Sequence, residues 1–402
     1  MTAKLVFYSH TSSVSGAEAT LLGLLTGLDR SRFRLVLLCP VGALSEACLA
    51  AGVEHRPVPA LVARFTSNPF QLLRYSASLM ASMVSLRKEL RRQMPDLVHA
   101  NGIRAALVAS LASLGLGIPI LWHIHDILPN HLFTFFIRRL ARTLPSVALL
   151  TPSQATANCF RGETKDVVHK PIEVILSSVD LARFYPDSAA RERMRRELGL
   201  QDHQIAIGVI GQITARKGLI ELVEAFAEAR SRMPEAVLVL VGAALFNEAN
   251  RIYADTLKQR IDALKIADRV WLVGSKPDIP AVMNAVDLLA QNSFIEPLGL
   301  ALMEGFACGR TAAATAVDGT LEIVDHGRTG LLTPPRNPAA LVSAIETLVK
   351  DAEMRLRLGN AARQKMLDGF SPEFYMQQMQ CLYERLIGAR ASGDTNPGIS
   401  SV

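Results

Sequence analysis

Glu296 and Glu304 stand with seven residues between them in the run Ser293-Phe294-Ile295-Glu296-Pro297-Leu298-Gly299-Leu300-Ala301-Leu302-Met303-Glu304-Gly305. The run follows an apolar stretch that reads as a strand, and it opens a stretch that reads as a helix. Pro297 suits a position at or before a first helical turn, and Gly299 lets backbone approach a ligand with no side chain between. The amides of Leu298, Gly299 and Leu300 would then be unpaired donors at a positive helix end, where phosphate binds. A phosphate site has no need of carboxylates, so the two glutamates point to neutral hydroxyl groups, of a sugar or a ribose, as the second partner. The plainer alternative makes Glu296 an N-cap and Glu304 part of a solvated face. The apolar neighbours of Glu304 weigh against it, because a carboxylate among them needs a buried partner.

A second loop, Gly211-Gln212-Ile213-Thr214-Ala215-Arg216-Lys217-Gly218, leads into a helical pattern with Leu219, Leu222, Val223 and Phe226 on one face. It can aim Arg216 or Lys217 at a diphosphate, each charge-assisted bond contributing about 1.5–3 kcal/mol. Exposed basic residues are common in strand-to-helix turns, so this loop decides nothing alone. In the first half, Trp122-His123-Ile124-His125-Asp126 lies at the end of another apolar run. Alternation puts both histidines on one side of an extended strand. Both cannot be buried there unpaired, which favours a functional His125, oriented by Asp126, over a purely structural pair.

Such residues need rigid elements behind them, and the sequence supplies two sets of short β-rich runs alternating with helical patterns. The first set is Leu5–Ser9, Leu35–Cys39, Leu97–Ala100, Ile120–His123, Val147–Thr151 and Val174–Leu176, with helices such as Ala17–Leu28 and Ala105–Leu114 between. The second is Ile205–Ile210, Val237–Val241, Val270–Val273, Leu288–Gln291, Ala312–Ala314 and Gly330–Leu332, separated by helices including Leu219–Arg230 and Pro338–Leu348. This alternation predicts α/β architecture with two doubly wound, Rossmann-like parallel sheets facing across a cleft at the carboxyl ends of their strands. The expected domains are 1–185 and 186–371. A helix over 372–388 would cross back to the first domain, and 389–402 would be a flexible tail.

At 402 residues, half of them hydrophobic, the chain suits two globular domains. Its five scattered cysteines form no C-x-x-C pair, which points to a reducing compartment and no structural zinc. Residues 1–10 read as a strand rather than a secretory leader, and Ala105–Trp122, broken by Gly115, Gly117 and Pro119, reads as a buried helix and a strand rather than a membrane span. The net charge of +6 is unevenly placed: residues 1–180 hold 18 Lys and Arg against 11 Asp and Glu, so the basic excess belongs to the first half. Such a half can face anionic lipid, nucleic acid or an anionic substrate.

The chain resembles glycosyltransferase family 4 (group 1), retaining enzymes of GT-B fold, over nearly its whole length. The pair Glu296 and Glu304, Lys217-Gly218, Ile323-Val324, Gly327 and Thr329-Gly330-Leu331-Leu332 carry the resemblance in the second half. Ser15-Gly16-Ala17-Glu18 and His125-Asp126 carry it in the first. The resemblance implies that Glu296 meets donor-sugar hydroxyls, Glu304 the ribose, and Lys217 with Arg216 the diphosphate. It further implies that Gly16, Ala17 and Glu18 lie beneath that diphosphate, and that His125 contacts the transferred sugar. Gln212 stands where many members have arginine, Ser177-Ser178 replaces Asn-Gly, and Asp318-Gly319 replaces Gly-Gly.

The expected function is retaining transfer from a nucleotide-diphosphate sugar to a glycan, lipid-linked or small-molecule hydroxyl, in cell-surface polysaccharide or glycolipid synthesis. No cofactor and no metal are expected, since Lys217, Arg216 and a helix amino end can stabilise the leaving diphosphate. Residues 132–144, with Phe133, Phe135, Phe136, Arg138, Arg139 and Arg142, are a candidate for contact with an anionic membrane from the cytoplasmic side; a core-facing helix with a solvated basic edge is the competing reading. A sugar-nucleotide epimerase of the same architecture is the alternative. Neither sheet opens with the G-x-G-x-x-G turn of a nicotinamide enzyme, and too few aromatics interleave the charges for nucleic acid.

Overall fold

The computed structural model describes residues 2–61, 69–128, 132–144, 146–162, 167–245 and 248–392. The chain forms two compact units, Met1–Ser178 with Pro372–Val402, and Val179–Ser371. The first holds β1 (Ala3–Tyr8), α1 (Gly16–Gly27), β2 (Phe33–Cys39), α2 (Ala43–Ala50), β3 (Glu54–Pro57), α3 (Pro69–Gln93), β4 (Leu97–Asn101) and α4 (Ile103–Ala112). It continues with β5 (Ile120–His123), α5 (Leu132–Thr143), β6 (Val147–Thr151), α6 (Gln154–Arg161) and β7 (Ile172–Val174). The second holds α7 (Ser188–Leu198), β8 (Ile205–Ile210), α8 (Leu219–Ala229), β9 (Ala236–Val241), α9 (Glu248–Ala263), β10 (Val270–Gly274), α10 (Ile279–Ala285) and β11 (Leu288–Gln291). It ends with α11 (Leu300–Ala307), β12 (Thr311–Thr315), α12 (Thr320–Ile323), β13 (Gly330–Thr333), α13 (Pro338–Lys350) and α14 (Ala352–Gly369), after which α15 (Pro372–Ser392) returns to the first unit.

Each sheet is parallel and wound in both directions: β3-β2-β1-β4-β5-β6-β7 in the first unit and β10-β9-β8-β11-β12-β13 in the second. Alternate residues of β1 serve opposite faces, as strand geometry demands. Val6 and Tyr8 join Leu86 of α3, Ala105 of α4 and Ile137 of α5 in one core. Leu5 and Phe7 join Leu21 of α1, Leu44 of α2 and Tyr383 of α15 in the other. The two faces of the first sheet are thus covered by different helix sets.

The strands of the second unit lie where their apolar runs predict. The first sheet has one more than expected, β3, whose sequence Glu-His-Arg-Pro carries no apolar signal. It pairs only with β2, at an edge, where polar residues and proline are tolerated. β7 begins two residues earlier than expected, at Ile172. Residues 389–392, expected to open a flexible tail, continue α15, and the rest of that stretch lies outside the described residues. Ala105–Trp122 is a buried helix followed by β5, and among the described residues no helix is long and apolar enough to cross a membrane.

Candidate functional site

In the second unit β8 and β11 are neighbours, yet the chain leaves β8 toward β9 and returns to β11 only after β10. The loops after β8 and β11 therefore open where the winding reverses, a place the fold leaves free for a ligand. The first loop carries Gln212, Arg216 and Lys217; the second carries Ser293, Glu296 and the start of α11. They are stitched together: Phe294 N donates to Arg216 O at 2.7 Å, Arg216 Nη1 to Ile295 O at 3.2 Å, and Asn292 Nδ2 to Gly218 O at 2.7 Å. Gly218 has φ +58°, and a Cβ there would stand 2.5 Å from Asn292 O, so the junction admits only glycine.

Glu296 is buried at this junction. Lys217 Nζ donates to its Oε2, Ser293 Oγ donates to the same oxygen at 3.0 Å, and Arg216 Nη1 lies 3.9 Å away. Burial pushes the carboxyl up, but the Lys217 and Arg216 charges with the two hydrogen bonds outweigh it and hold Glu296 below the ordinary carboxylate range. Its Oε1 meets no donor among the described residues. The backbone is fixed from a third loop: Glu296 N donates to Asp318 Oδ2 at 3.0 Å, and Gly319 N donates to Glu296 O at 3.0 Å. A Cβ on Gly319 would lie 2.2 Å from Pro297 O. Asp318 is a site residue the sequence reading missed as such; it drew notice only as half of a departing Asp-Gly pair.

Gly299 takes φ +103° as the N-cap of α11, and among the described residues no acceptor meets the amides of Leu298, Gly299 and Leu300. Those three donors sit at the positive end of the helix. One turn on, the Glu304 carboxyl makes no hydrogen bond among the described residues, while its backbone carbonyl accepts from Cys308 N at 3.2 Å. Burial raises its pKa to about 7, with the Arg183 charge pulling the other way. The hydrogen-bonded partner expected for a carboxylate in that apolar run is missing. Next to these groups a cavity is lined by Gly211, Gln212, Lys217, Gln291, Asn292 and Leu302. Gln212 braces one wall, its Nε2 donating to Leu245 O at 3.4 Å.

The first unit has its own reversal, between β1 and β4. The residue ending β4, Asn101, accepts from His125 Nε2 through Oδ1 at 2.9 Å and donates through Nδ2 to Ala17 O at 3.4 Å. Asn101 thereby ties His125 to the Gly16-Ala17 turn, fixes the proton on Nε2 and leaves Nδ1 as an acceptor. Burial lowers the His125 pKa to about 4, so the ring is neutral. His123 is structural: Nδ1 lies 3.2 Å from His99 Nε2, and His99 Nδ1 lies 2.8 Å from Tyr383 Oη on α15. Each of the two histidines is thus paired through one ring nitrogen, His125 with Asn101 and His123 with His99, and His123 Nε2 is buried without a partner. Glu18 is also buried; its carboxylate folds back on the Ser15 amide at 3.3 Å and on the Ser15 hydroxyl, capping α1, and burial holds its pKa up.

The expectation for residues 132–144 needs correction at Arg138. Its side chain is buried, with Nε donating to Phe160 O at 3.0 Å and Nη2 to Cys159 O at 2.6 Å, so it satisfies the carboxyl end of α6 rather than facing outward. Ile137 and Ala141 lie in the core, and Arg139, Arg142 and Phe136 remain on the outside. Of this stretch, residues 132–144 are described except for the side chain of Leu132.

Two doubly wound parallel-sheet units, with a lysine-neutralised carboxylate and a helix amino end at the winding reversal of the second, give the chain the GT-B architecture. The chain belongs to glycosyltransferase family 4, group 1: residues 14–183 match the profile described as Glycosyltransferase Family 4, and residues 190–365 the one described as Glycosyl transferases group 1. It is 31% identical to the D-inositol 3-phosphate glycosyltransferase of Corynebacterium jeikeium over 58% of this chain and 57% of that one. The chain spans about three fifths of the length of the first curated relatives it matches. It is 27% identical to the 2-deoxystreptamine N-acetyl-D-glucosaminyltransferase of Streptomyces fradiae over 95% of this chain and 93% of that one. Among solved structures, Anabaena Alr3699/HepE in complex with UDP-glucose superposes with TM-score 0.79 at 26% identity, covering 95% of this chain and 99% of that one.

Proposed function

We propose that this protein transfers a sugar, with retention, from a nucleoside-diphosphate sugar to a hydroxyl of a glycan, lipid-linked or small-molecule acceptor. The observation that carries the reading is the pairing of an ionised, buried Glu296, one oxygen of which meets no donor, with three unengaged amides at the start of α11. A carboxylate oxygen is made for hydroxyl groups, and free amides at a helix end are made for phosphate. In this reading Glu304 takes the ribose hydroxyls and Glu296 those of the sugar. Lys217 and Arg216 neutralise the departing diphosphate without a metal, so neither ion pair with Glu296 is permanent. His125, neutral with Nδ1 left as an acceptor, accepts a hydrogen bond from a hydroxyl of the transferred sugar. Gly16 and Ala17 offer backbone to the diphosphate, and Glu18 holds their turn.

The HepE structures hold UDP and UDP-glucose, and a curated relative is named for GDP-mannose, so uridine and guanosine sugars head the donor panel. Place of action on the inner side of a membrane, in polysaccharide or glycolipid synthesis, is part of the same proposal. The test is a thermal-shift panel of uridine, guanosine and adenosine diphosphates and their sugars, followed by product analysis with and without acceptor in the presence and absence of EDTA. Stabilisation by one nucleotide series and EDTA-resistant, acceptor-dependent transfer with retained anomeric configuration are expected. No stabilisation by any series would refute the donor site. Conversion of donor alone would establish the epimerase instead.

A further inference from the structure

The basic excess of the first half is not spread over its surface. α3, α4 and α5 cover one face of the first sheet and share its core. Together they carry nine Arg and Lys, Arg74, Arg87, Lys88, Arg91, Arg92, Arg104, Arg138, Arg139 and Arg142, against one acid, Glu89. The helices on the other face, α1, α2 and α15, carry four acids and two bases. Two of the nine cations are spent on structure: Arg138 in the core, and Arg87, whose Nη1 donates to Ala112 O and Leu114 O at 2.8 Å. The other seven are exposed.

Between these charges the same outer side is apolar. On α3, Leu86 and Leu90 point into the core, and the opposite side presents Leu73 (71% exposed), Ala77, Met80 (54%) and Val84 (60%). Their spacing of four, three and four residues makes one continuous stripe about 16 Å long. Lys88 and Arg91 continue the line, and Arg74 flanks it. On α5, Phe136 is 55% exposed beside Arg139. Leu114, just past α4, is exposed as well.

We propose that the outer side of the α3–α4–α5 layer docks on an anionic lipid surface, with the Leu73–Met80–Val84 stripe and Phe136 entering the headgroup boundary and the seven exposed cations meeting lipid phosphate. An amphipathic face seated a few ångströms into the interface, with cations around apolar side chains, fits this pattern of residues. Nucleic acid would use the charges but leave an apolar stripe of aliphatic side chains unburied. A second copy of the chain would bury the stripe but set seven cations against seven. The inference deepens the membrane-side part of the proposed function and does not depend on the transfer reaction.

The experiment is co-sedimentation of the full chain with vesicles of phosphatidylcholine alone and of phosphatidylcholine with phosphatidylglycerol. Three proteins are compared: the wild type, a Leu73→Gln, Met80→Gln, Val84→Gln variant, and a Lys88→Gln, Arg91→Gln, Arg92→Gln variant. Unchanged melting temperature and nucleotide binding certify that both variants fold. The wild type should pellet with the anionic vesicles only, and salt should release it. Each basic residue near an anionic surface is worth about fivefold, so the charge variant should lose roughly a hundredfold in partitioning. The apolar variant should lose tenfold or more. Wild type that stays in the supernatant, or pellets equally with neutral vesicles, overturns the proposal, as does either variant partitioning like wild type. A dimer in analytical ultracentrifugation that the apolar variant dissociates, or equal competition by duplex DNA that spares the apolar variant's loss, assigns the face to those partners instead.

Discussion

Replacing Glu304 by glutamine should make the unliganded protein more stable and its donor binding weaker, and both effects follow from one carboxyl. The Glu304 carboxyl stands on an apolar helix and meets no hydrogen-bond donor among the described residues, and burial raises its pKa in the folded chain to about 7 against an ordinary 4.5. Because the folded pKa is the higher one, the folded state holds the proton more tightly. Its advantage is intact below pH 4.5 and is lost as pH rises through 7. The cost of ionising the group in place is about 3 kcal/mol, accumulated between pH 4.5 and pH 7 and constant above about pH 8. Glutamine keeps the shape and has no charge to bury. For a unit of this size about 3 kcal/mol corresponds to roughly 6–12 °C in melting temperature. Glu304→Gln and wild type should therefore melt together near pH 4.5 and separate by that amount at pH 8. Nucleotide-sugar affinity at pH 8 should fall by about ten- to a hundredfold in calorimetry, the scale of one charged hydrogen bond. Wild type should release protons on binding near pH 6.5, and the variant should not. Melting curves that stay parallel from pH 4.5 to 8 would refute the argument, because the carboxyl would then not be buried without a partner.

Lys217→Met leaves the Glu296 carboxylate buried with only Ser293 and the more distant Arg216, so destabilisation of about 3–5 kcal/mol in urea unfolding is expected, with loss of transfer; unchanged stability would show the pair to be loose. Arg138→Ala removes the guanidinium that donates to two carbonyls in the last turn of α6 and should cost about 1–3 kcal/mol while leaving vesicle partitioning intact, measured by urea unfolding and sedimentation. Tyr383→Phe removes the partner of His99 Nδ1 and should cost about 1–3 kcal/mol with nucleotide affinity unchanged. His99 and His125 are lowered to about 3 and 4, and His123 well below its ordinary value, all chiefly by burial. Their folded pKa values are depressed, so the stability they contribute is present above pH 6.5 and lost as pH falls toward 4 and below; Trp122 fluorescence in a Trp271→Phe background should report unfolding of the first unit in less urea at pH 4.5 than at pH 7.

The strands of both sheets were legible because strands buried on both faces must be nearly continuous apolar runs, and Ile205–Ile210 or Val147–Thr151 can be little else. β3 was not, because an edge strand is held by backbone bonds on one side and its Glu-His-Arg-Pro sequence answers to solvent. α3 went unread although it is the longest helix, because its outer face is apolar too and blurs the two-sided pattern that marks a surface helix. The same masking hid the stripe that gives this helix its proposed role.

Sequence alone determined which residue types the second unit offers for the proposed chemistry. Two acids around a Pro-x-Gly turn and a Lys-Gly after a strand set the residue types, and local backbone rules place them at helix starts. Which group neutralises which was decided only by the tertiary structure. Lys217 and Glu296 are 79 positions apart and meet because β8 and β11 are neighbours in the sheet. Asp318 reaches the Glu296 amide from the next strand's loop, and Asn101 rather than Asp126 holds His125 Nε2. Burial had the last word on charge. It leaves one glutamate ionised and the other poised near neutrality, and it turns Arg138 from a surface cation into a helix cap, because the cost of a charge depends on the neighbours that folding brings and not on the residue's own type.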